Sequence, residues 1–174
     1  MNKKIFLLIV VFLILGLTFV GAGCDKSKNK NEADSKDSDQ SDQDFSKEME
    51  AGESAALTNG KLALQIAGFD DHKVRYYNTV LPNGKKIYFF VLEDNNGIYR
   101  AAANACQVCF ASKTGFHQEG NLIVCNTCGN KYPLEKIATE KGGCNPGPIN
   151  PDIKVKGGKI EITQAELEQV ADLF

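Results

Sequence analysis

The order of apolar runs and turn signals predicts a mainly β chain: a small antiparallel β domain with a short C-terminal helix, preceded by a signal peptide and a disordered tether. Three observations carry this reading. From residue 55 onward, short runs rich in Val, Ile, Tyr and Phe are broken by Asn-Gly, Asp-Asn and Gly-Gly punctuation, the mark of strands joined by tight turns. Before residue 55 the chain splits into an apolar run and a polar stretch with almost no aliphatic residues. Within the strand-rich part, five of the six cysteines crowd into residues 106–144. The expected divisions are 1–23, a signal peptide; 24–54, a disordered linker; and 55–174, a Cys-rich β domain.

The N-terminus reads as an export signal. Lys3 and Lys4 precede an uncharged run over residues 5–20, and the small residues Gly21, Ala22 and Gly23 stand before Cys24. A positive start, an apolar middle and a small-residue site make a signal peptide. The small residues followed by Cys24 resemble the lipobox of bacterial lipoproteins, which implies that Cys24 is lipidated and the chain anchored to the extracytoplasmic face of the cell membrane. The competing reading is an uncleaved anchor, although the run is a little shorter than the ~20 residues that span a bilayer. The next stretch is rich in Lys, Asp, Ser, Asn and Gln. It offers too little apolar surface to offset its ordering entropy. As a coil of roughly 30 residues it would reach on the order of 30 Å. Taking Lys3 and Lys4 from the 20 basic residues leaves 18 against 22 acids, a charge of −4. No basic stripe appears, so nucleic acid is not an expected partner.

The domain's strands follow in order. Residues 61–66 alternate, residues 73–80 carry Val74, Tyr76, Tyr77 and Val80, and Pro82-Asn83-Gly84 turns the chain into residues 86–92 (KIYFFVL), the strongest strand. Asp94 to Gly97 is the next turn, leading to residues 98–103. Residues 121–124 run into the second cysteine pair, and residues 153–155 and 159–162 flank Gly157-Gly158 as a last hairpin. Thr163-Gln-Ala-Glu166 is a capping box, opening a short helix with Leu167, Val170, Ala171 and Phe174 on one side. Lys85, Lys86 and Arg100 read as solvated positions, and His72, beside Asp70 and Asp71, as a turn residue.

The chemistry lies in Cys106-Gln-Val-Cys109 and Cys125-Asn-Thr-Cys128, with fifteen residues between the pairs. Each pair can aim two sulfurs at one ion, and two pairs together supply four thiolates, so the spacing reads as a metal or iron–sulfur site. Structural disulfides are the competing reading in an exported chain. With Cys24 lipidated, five cysteines remain and cannot all pair. Thioredoxin-like chemistry expects a helix after the pair, and Gly115 and Gly129 leave little room for one. Cys144, in Gly142-Gly-Cys-Asn-Pro146, is a candidate fifth ligand or a thiol in the loop over the site. His117 and Tyr132 are candidate supporting groups behind the ligands, with Phe110 and Phe116 packing around them. Thiolates suit iron–sulfur and zinc alike, and also copper(I). No Ser/His/Asp set, paired-carboxylate site or phosphate-binding Gly loop is present. The expectation is an electron carrier or metal-binding protein rather than an enzyme.

Residues 73–174 resemble the FtrD-like membrane iron–sulfur domain family through Ala105-Cys-Gln-Val-Cys109, Gly120 to Gly129 with Cys125 and Cys128, and Glu140-Lys-Gly-Gly-Cys-Asn-Pro146. The resemblance implies an iron–sulfur protein of the membrane associated with iron uptake, acting with a membrane iron permease or a redox partner. A looser resemblance in fold is to Rieske domains: a hairpin leads to one ligand loop, a Gly-punctuated strand to a second, and residues 142–148 (GGCNPGP) are similar to the loop that covers a Rieske cluster. The ligands depart from that pattern, because Cys109 and Cys128 stand where a Rieske protein has His. Four thiolates favour the oxidised cluster, so a low potential is expected, nearer the about −400 mV of plant-type centres than the roughly −150 to +300 mV of Rieske centres. The expected function is electron transfer by a membrane-anchored iron–sulfur protein supporting iron uptake. The alternatives are a zinc-ribbon-like binding module and a C-x-x-C thiol–disulfide oxidoreductase.

Overall fold

The computed structural model describes residues 49 and 51–174. The expected signal peptide, Cys24 and nearly all of the expected tether lie outside the described residues. The described chain is mainly β, as its alternating runs and turn residues predict. Its strands are β1 (Glu53–Ser54), β2 (Lys61–Gln65), β3 (Arg75–Val80), β4 (Lys86–Glu93), β5 (Tyr99–Cys106), β6 (Phe116–Glu119), β7 (Leu122–Cys125), β8 (Lys131–Pro133), β9 (Pro146–Ile153), β10 (Val155–Lys156) and β11 (Lys159–Thr163), followed by the one α-helix among the described residues, α1 (Gln164–Glu168). They form a five-stranded sheet in the order β1-β3-β4-β5-β9 and two three-stranded sheets, β10-β11-β2 and β6-β7-β8.

The central sheet is covered on both faces, and the strand period of two explains how one strand serves both. Alternate side chains point to opposite faces. Ile87, Phe89 and Val91 of β4 and Ala101, Ala103 and Ala105 of β5 join Leu62, Leu64, Ile160, Ile162 and Leu167 in one core. Phe90, Leu92, Ala102 and Cys106 face the other way and join Phe116, Ile123, Cys125, Leu134 and Ile137 in a second core. Every residue of β5 is buried. Small alanines let both neighbouring layers approach, and the cysteine unit β6-β7-β8 is the layer on the second face.

The turns hold as their residues dictate. Gly157 and Gly158 both take positive φ (56° and 74°), the requirement of the tight turn between β10 and β11. The capping box forms: the Thr163 hydroxyl oxygen accepts from the Glu166 N–H, and the Glu166 carboxylate accepts from the Thr163 N–H at 2.6 Å. Leu167 is buried and Ala171 and Phe174 pack partly against the same core, the chain continuing beyond α1 as a 3₁₀ turn over Ala171–Leu173.

Three expectations are corrected. Residues 142–148 are only in part a loop, because β9 starts at Pro146 and pairs with β5. It contains Pro146, Pro148 and Pro151, residues that cannot donate to a ladder, and it is tolerated because it is the edge strand of its sheet. Arg100 is not solvated. Its side chain is 9 % exposed and its guanidinium lies 2.8 Å from Asp94, which is fully buried. It also donates to the Pro151 carbonyl at 2.7 Å, tying β5 to β9. The Ile98 N–H, the Arg100 guanidinium and the Asn96 N–H outweigh the burial that opposes the Asp94 carboxylate and hold its pKa below the usual range. Finally, Glu53 and Ser54, read from composition as the end of the tether, form β1, parallel to β3. No helix among the described residues is long and apolar enough to cross a membrane.

Candidate metal centre

Each C-x-x-C pair begins at the end of a strand. β5 ends on Cys106 and β7 on Cys125, both buried. Beyond Cys106 the backbone folds back, so that its sulfur accepts from the Val108 N–H at 3.4 Å and the Cys109 N–H at 3.1 Å. Cys125 is treated alike by the Thr127 and Cys128 N–H groups. The second turn closes where Gly129, at φ 71°, donates to the Cys125 carbonyl at 2.9 Å. Backbone donors aimed at sulfur stabilise negative charge there.

The third thiol-bearing segment arrives through the sheet. Cys106 pairs with Pro146 in the register of β5 and β9, which sets Cys144, two residues earlier, beside the first pair. Gln107 fastens it: its N–H donates to the Asn145 carbonyl at 3.1 Å, and its side-chain oxygen accepts from the Gly142 N–H at 3.1 Å. The sulfurs of Cys106, Cys109 and Cys125 lie within 4.8 Å of one another, as do those of Cys109, Cys128 and Cys144. All five thiols are free, and the two groups share Cys109. Cys106 and Cys125 form the buried floor, Cys109 and Cys144 are half-buried, and Cys128 is exposed. The site therefore opens toward solvent on the Cys128 side.

Crowded thiols resist ionisation. Burial, then the neighbouring Cys106 thiol, raises the pKa of Cys109. Burial pushes Cys125 up to about 11 against its backbone donors. The Cys128 thiol and then burial raise Cys144. Cys128 goes the other way: burial opposes its thiolate, but the Asn130 N–H and the thiols of Cys125, Cys144 and Cys109 outweigh it. One low thiol among raised ones is an arrangement that a cation completes by replacing protons.

The residues behind the thiols were only partly foreseen. His117, on β6, does not join the thiol groups; its Nδ1 meets Asn126 Oδ1, in the residue next to Cys125, and its Nε2 lies 3.1 Å from Glu119, which Lys131 contacts at 2.6 Å. Tyr132 packs edge-on against Phe116, with ring centroids 6.4 Å apart. Burial, and the nearby thiols, push its phenol up to about 12. Phe116 is buried against this face, whereas Phe110 is exposed. Asn104 and Asn126 were not singled out by the sequence. Asn104, fully buried, accepts from the Phe116 N–H at 2.8 Å. Asn126 donates to the Thr114 carbonyl at 2.7 Å, joining the second cysteine loop to the segment that follows the first. Their only sequence signal is a polar residue within two positions of a paired cysteine.

A small β domain whose strand ends and one sheet-held loop converge five thiols is, as a class, a sulfur-ligand metal protein. The chain belongs to the FtrD-like family, described as "Membrane iron-sulfur containing protein FtrD-like", whose model matches residues 69–174 and so spans both C-x-x-C loops and Cys144. No curated protein and no solved structure matches the chain.

Proposed function

We propose that this protein carries electrons through an iron–sulfur centre at the extracytoplasmic face of the cell membrane, in support of iron uptake. The observation that carries the reading is the convergence of five free thiols in two groups that share Cys109. Cys106, Cys109, Cys125 and Cys128 would hold the centre, with Cys144 closing over it. The donor set fits. It is all sulfur, it is partly dry, and its buried sulfurs accept backbone N–H bonds, a feature that tunes iron–sulfur potentials. When bound, the centre supplies reversible one-electron chemistry.

The chain's own residues bind, orient and shield. Cys106 and Cys125 are anchored at strand ends and fix the floor. Cys128, exposed and with a lowered pKa, is the thiol that first offers a thiolate to an arriving cation. Phe116 and Tyr132 exclude water from one side, and His117 steadies the second loop through Asn126. A fifth converging thiol exceeds the four that close a structural zinc site. The raised pKa of Cys109 is the reverse of the activated thiol that a C-x-x-C oxidoreductase needs. The Rieske-like reading of the architecture is supported by the insertion of β6-β7-β8 between β5 and β9, neighbours in the central sheet. Lipidation at Cys24 is supported by the small residues before it and by the membrane attribution of the family. An iron permease or a redox protein of the same membrane is the partner this reading calls for.

The test is to purify the full chain anaerobically in detergent and measure metal, acid-labile sulfide and the visible spectrum before and after dithionite. Iron and sulfide in near-equal amounts, with absorption that bleaches, is the expected result. One zinc per chain, without colour or sulfide, overturns it. For the anchor, the chain is expected to incorporate labelled fatty acid and Cys24→Ser to abolish the incorporation. No incorporation into the native chain overturns lipidation.

A further inference from the structure

Beside the thiols, on the side of the C-terminal turn, lies a cavity of about 390 Å³. This is within the range of small-molecule sites. One wall is formed by Cys106 and Cys109, and three rings, Tyr88, Phe110 and Phe174, line the rest together with Lys85, Lys86 and Lys113. The Tyr88 and Phe174 ring centroids are 5.9 Å apart, and the Lys86 ammonium sits 5.0 Å from the Tyr88 ring centroid. Among the described residues no Asp or Glu side chain lines the cavity. Among the described residues none of the three lysines has a carboxylate partner, a state they share with Lys73, Lys141, Lys156 and Lys159; what distinguishes the three is that they line one cavity.

These two features constrain the ligand from opposite ends. A neutral apolar molecule would fill the ring-lined part and make no use of the lysines, of which Lys86 already sits over the Tyr88 ring. A bare inorganic anion would answer the lysines and leave the rings exposed to water. A planar aromatic molecule bearing a phosphate satisfies both: rings prefer to stack or meet edge to face, and ammonium groups bind phosphate by charge-assisted hydrogen bonds. We infer that this cavity, lined by Tyr88, Phe110, Phe174 and the three lysines, binds an aromatic phosphate of the flavin mononucleotide class. The ligand's ring would lie against the wall formed by Cys106 and Cys109.

The full chain in detergent, both metal-free and as isolated, is titrated with flavin mononucleotide, and the flavin's own fluorescence is followed. Saturable quenching with a Kd at or below about 100 μM is expected. The double variant Lys85→Ala/Lys113→Ala should weaken it at least about tenfold, and removing the phosphate (riboflavin as probe) should do the same. Phe110→Ala should weaken it and diminish the quenching, while Lys156→Ala on β10 should leave it unchanged; a urea midpoint for each variant confirms folding. No saturation up to millimolar flavin overturns the inference. So does binding indifferent to Lys85 and Lys113, riboflavin binding as tight as the phosphate form, or inorganic phosphate binding equally well. If binding is seen in a metal-free chain that never takes up iron, this inference stands and the electron-transfer reading falls. Iron and sulfide without flavin binding is the converse.

Discussion

Replacing Gly115 by alanine tests whether the cysteine unit is joined to the central sheet where the contacts place the joint. Gly115 has φ +68°, and a Cβ built there would stand 2.5 Å from Asn104 Oδ1, 2.9 Å from its Cγ and 3.0 Å from its Nδ2. Two costs follow. An L residue in the left-handed region costs about 1–2 kcal/mol. Displacing the Asn104 amide breaks its acceptance of the Phe116 N–H, and leaving that buried donor unpaired costs about 1–3 kcal/mol. Together Gly115→Ala should cost about 2–5 kcal/mol. Gly120→Ala is the control: its φ is +56°, but nothing lies within 4 Å of the added Cβ, so only the backbone cost of about 1–2 kcal/mol applies. Urea unfolding of the full chain measures both. With m about 1–3 kcal/mol/M, Gly115→Ala should unfold at a midpoint lower than Gly120→Ala by on the order of 1 M. The cycle with Asn104→Ala sharpens the test. Once the amide is gone the new methyl has room, so the double variant should be more stable than the sum of the two single losses predicts. Equal midpoints for Gly115→Ala and Gly120→Ala, or strict additivity in the cycle, would refute the junction.

Asp94→Ala should destabilise the fold by about 3–5 kcal/mol, because it leaves the Arg100 guanidinium buried and uncompensated; Asp94 accepts from Asn96, Ile98 and Arg100. Since the Asp94 pKa is lowered in the folded state, its contribution is complete above the unfolded value of about 3.9 and is lost as the pH falls through the lower folded value. Urea midpoints against pH should therefore fall less steeply in acid for Asp94→Asn than for the native chain. Gly147→Ala would place a Cβ 2.5 Å from Leu173 Cδ1, 3.1 Å from Val170 Cγ1 and 3.2 Å from Ala103 Cβ; overpacking of about 1–3 kcal/mol is expected and is read from the same urea curves. Metal uptake should strengthen as pH rises, because Cys125, at about 11, and the raised Cys109 must lose protons to bind; cobalt(II) titrations followed by thiolate charge-transfer absorption measure this, and uptake that weakens with rising pH would refute it.

What could be read from the sequence was whatever local chemistry determines. β4 and the Gly157-Gly158 turn carry their periods and positive-φ residues in plain view, and Thr163 with Glu166 spells the capping box. The cysteine pairs reveal a sulfur site because two residues of spacing suffice to aim two sulfurs at one point. What stayed hidden depends on neighbours distant in the chain. β9 has three prolines and reads as a loop; only the place of β5 beside it makes an edge strand of that segment. Arg100 looks like one more exposed cation until the hairpin brings Asp94 against it. Asn104 and Asn126 are ordinary polar residues by type, and their work lies in buried contacts with Phe116 and Thr114.

The position of Cys144 follows from the same logic and bears on how the site works. Cys106 is the last residue of β5, and β5 also packs Ala101, Ala103 and Ala105 into the opposite core. The floor of the site is thus part of the most buried strand, and it can move only if the sheet moves. Cys144 is two residues before Pro146, which the register holds against Cys106, and Gln107 grips the Gly142–Asn145 turn from within the first cysteine loop. A fifth thiol held by both sheet register and side chain is a fixed part of the site rather than a chance neighbour. Cys128 has the opposite character, exposed and on a turn. Such a division, with a rigid buried floor and one accessible sulfur, is what the proposed electron-transfer role calls for: a fixed geometry with one edge open.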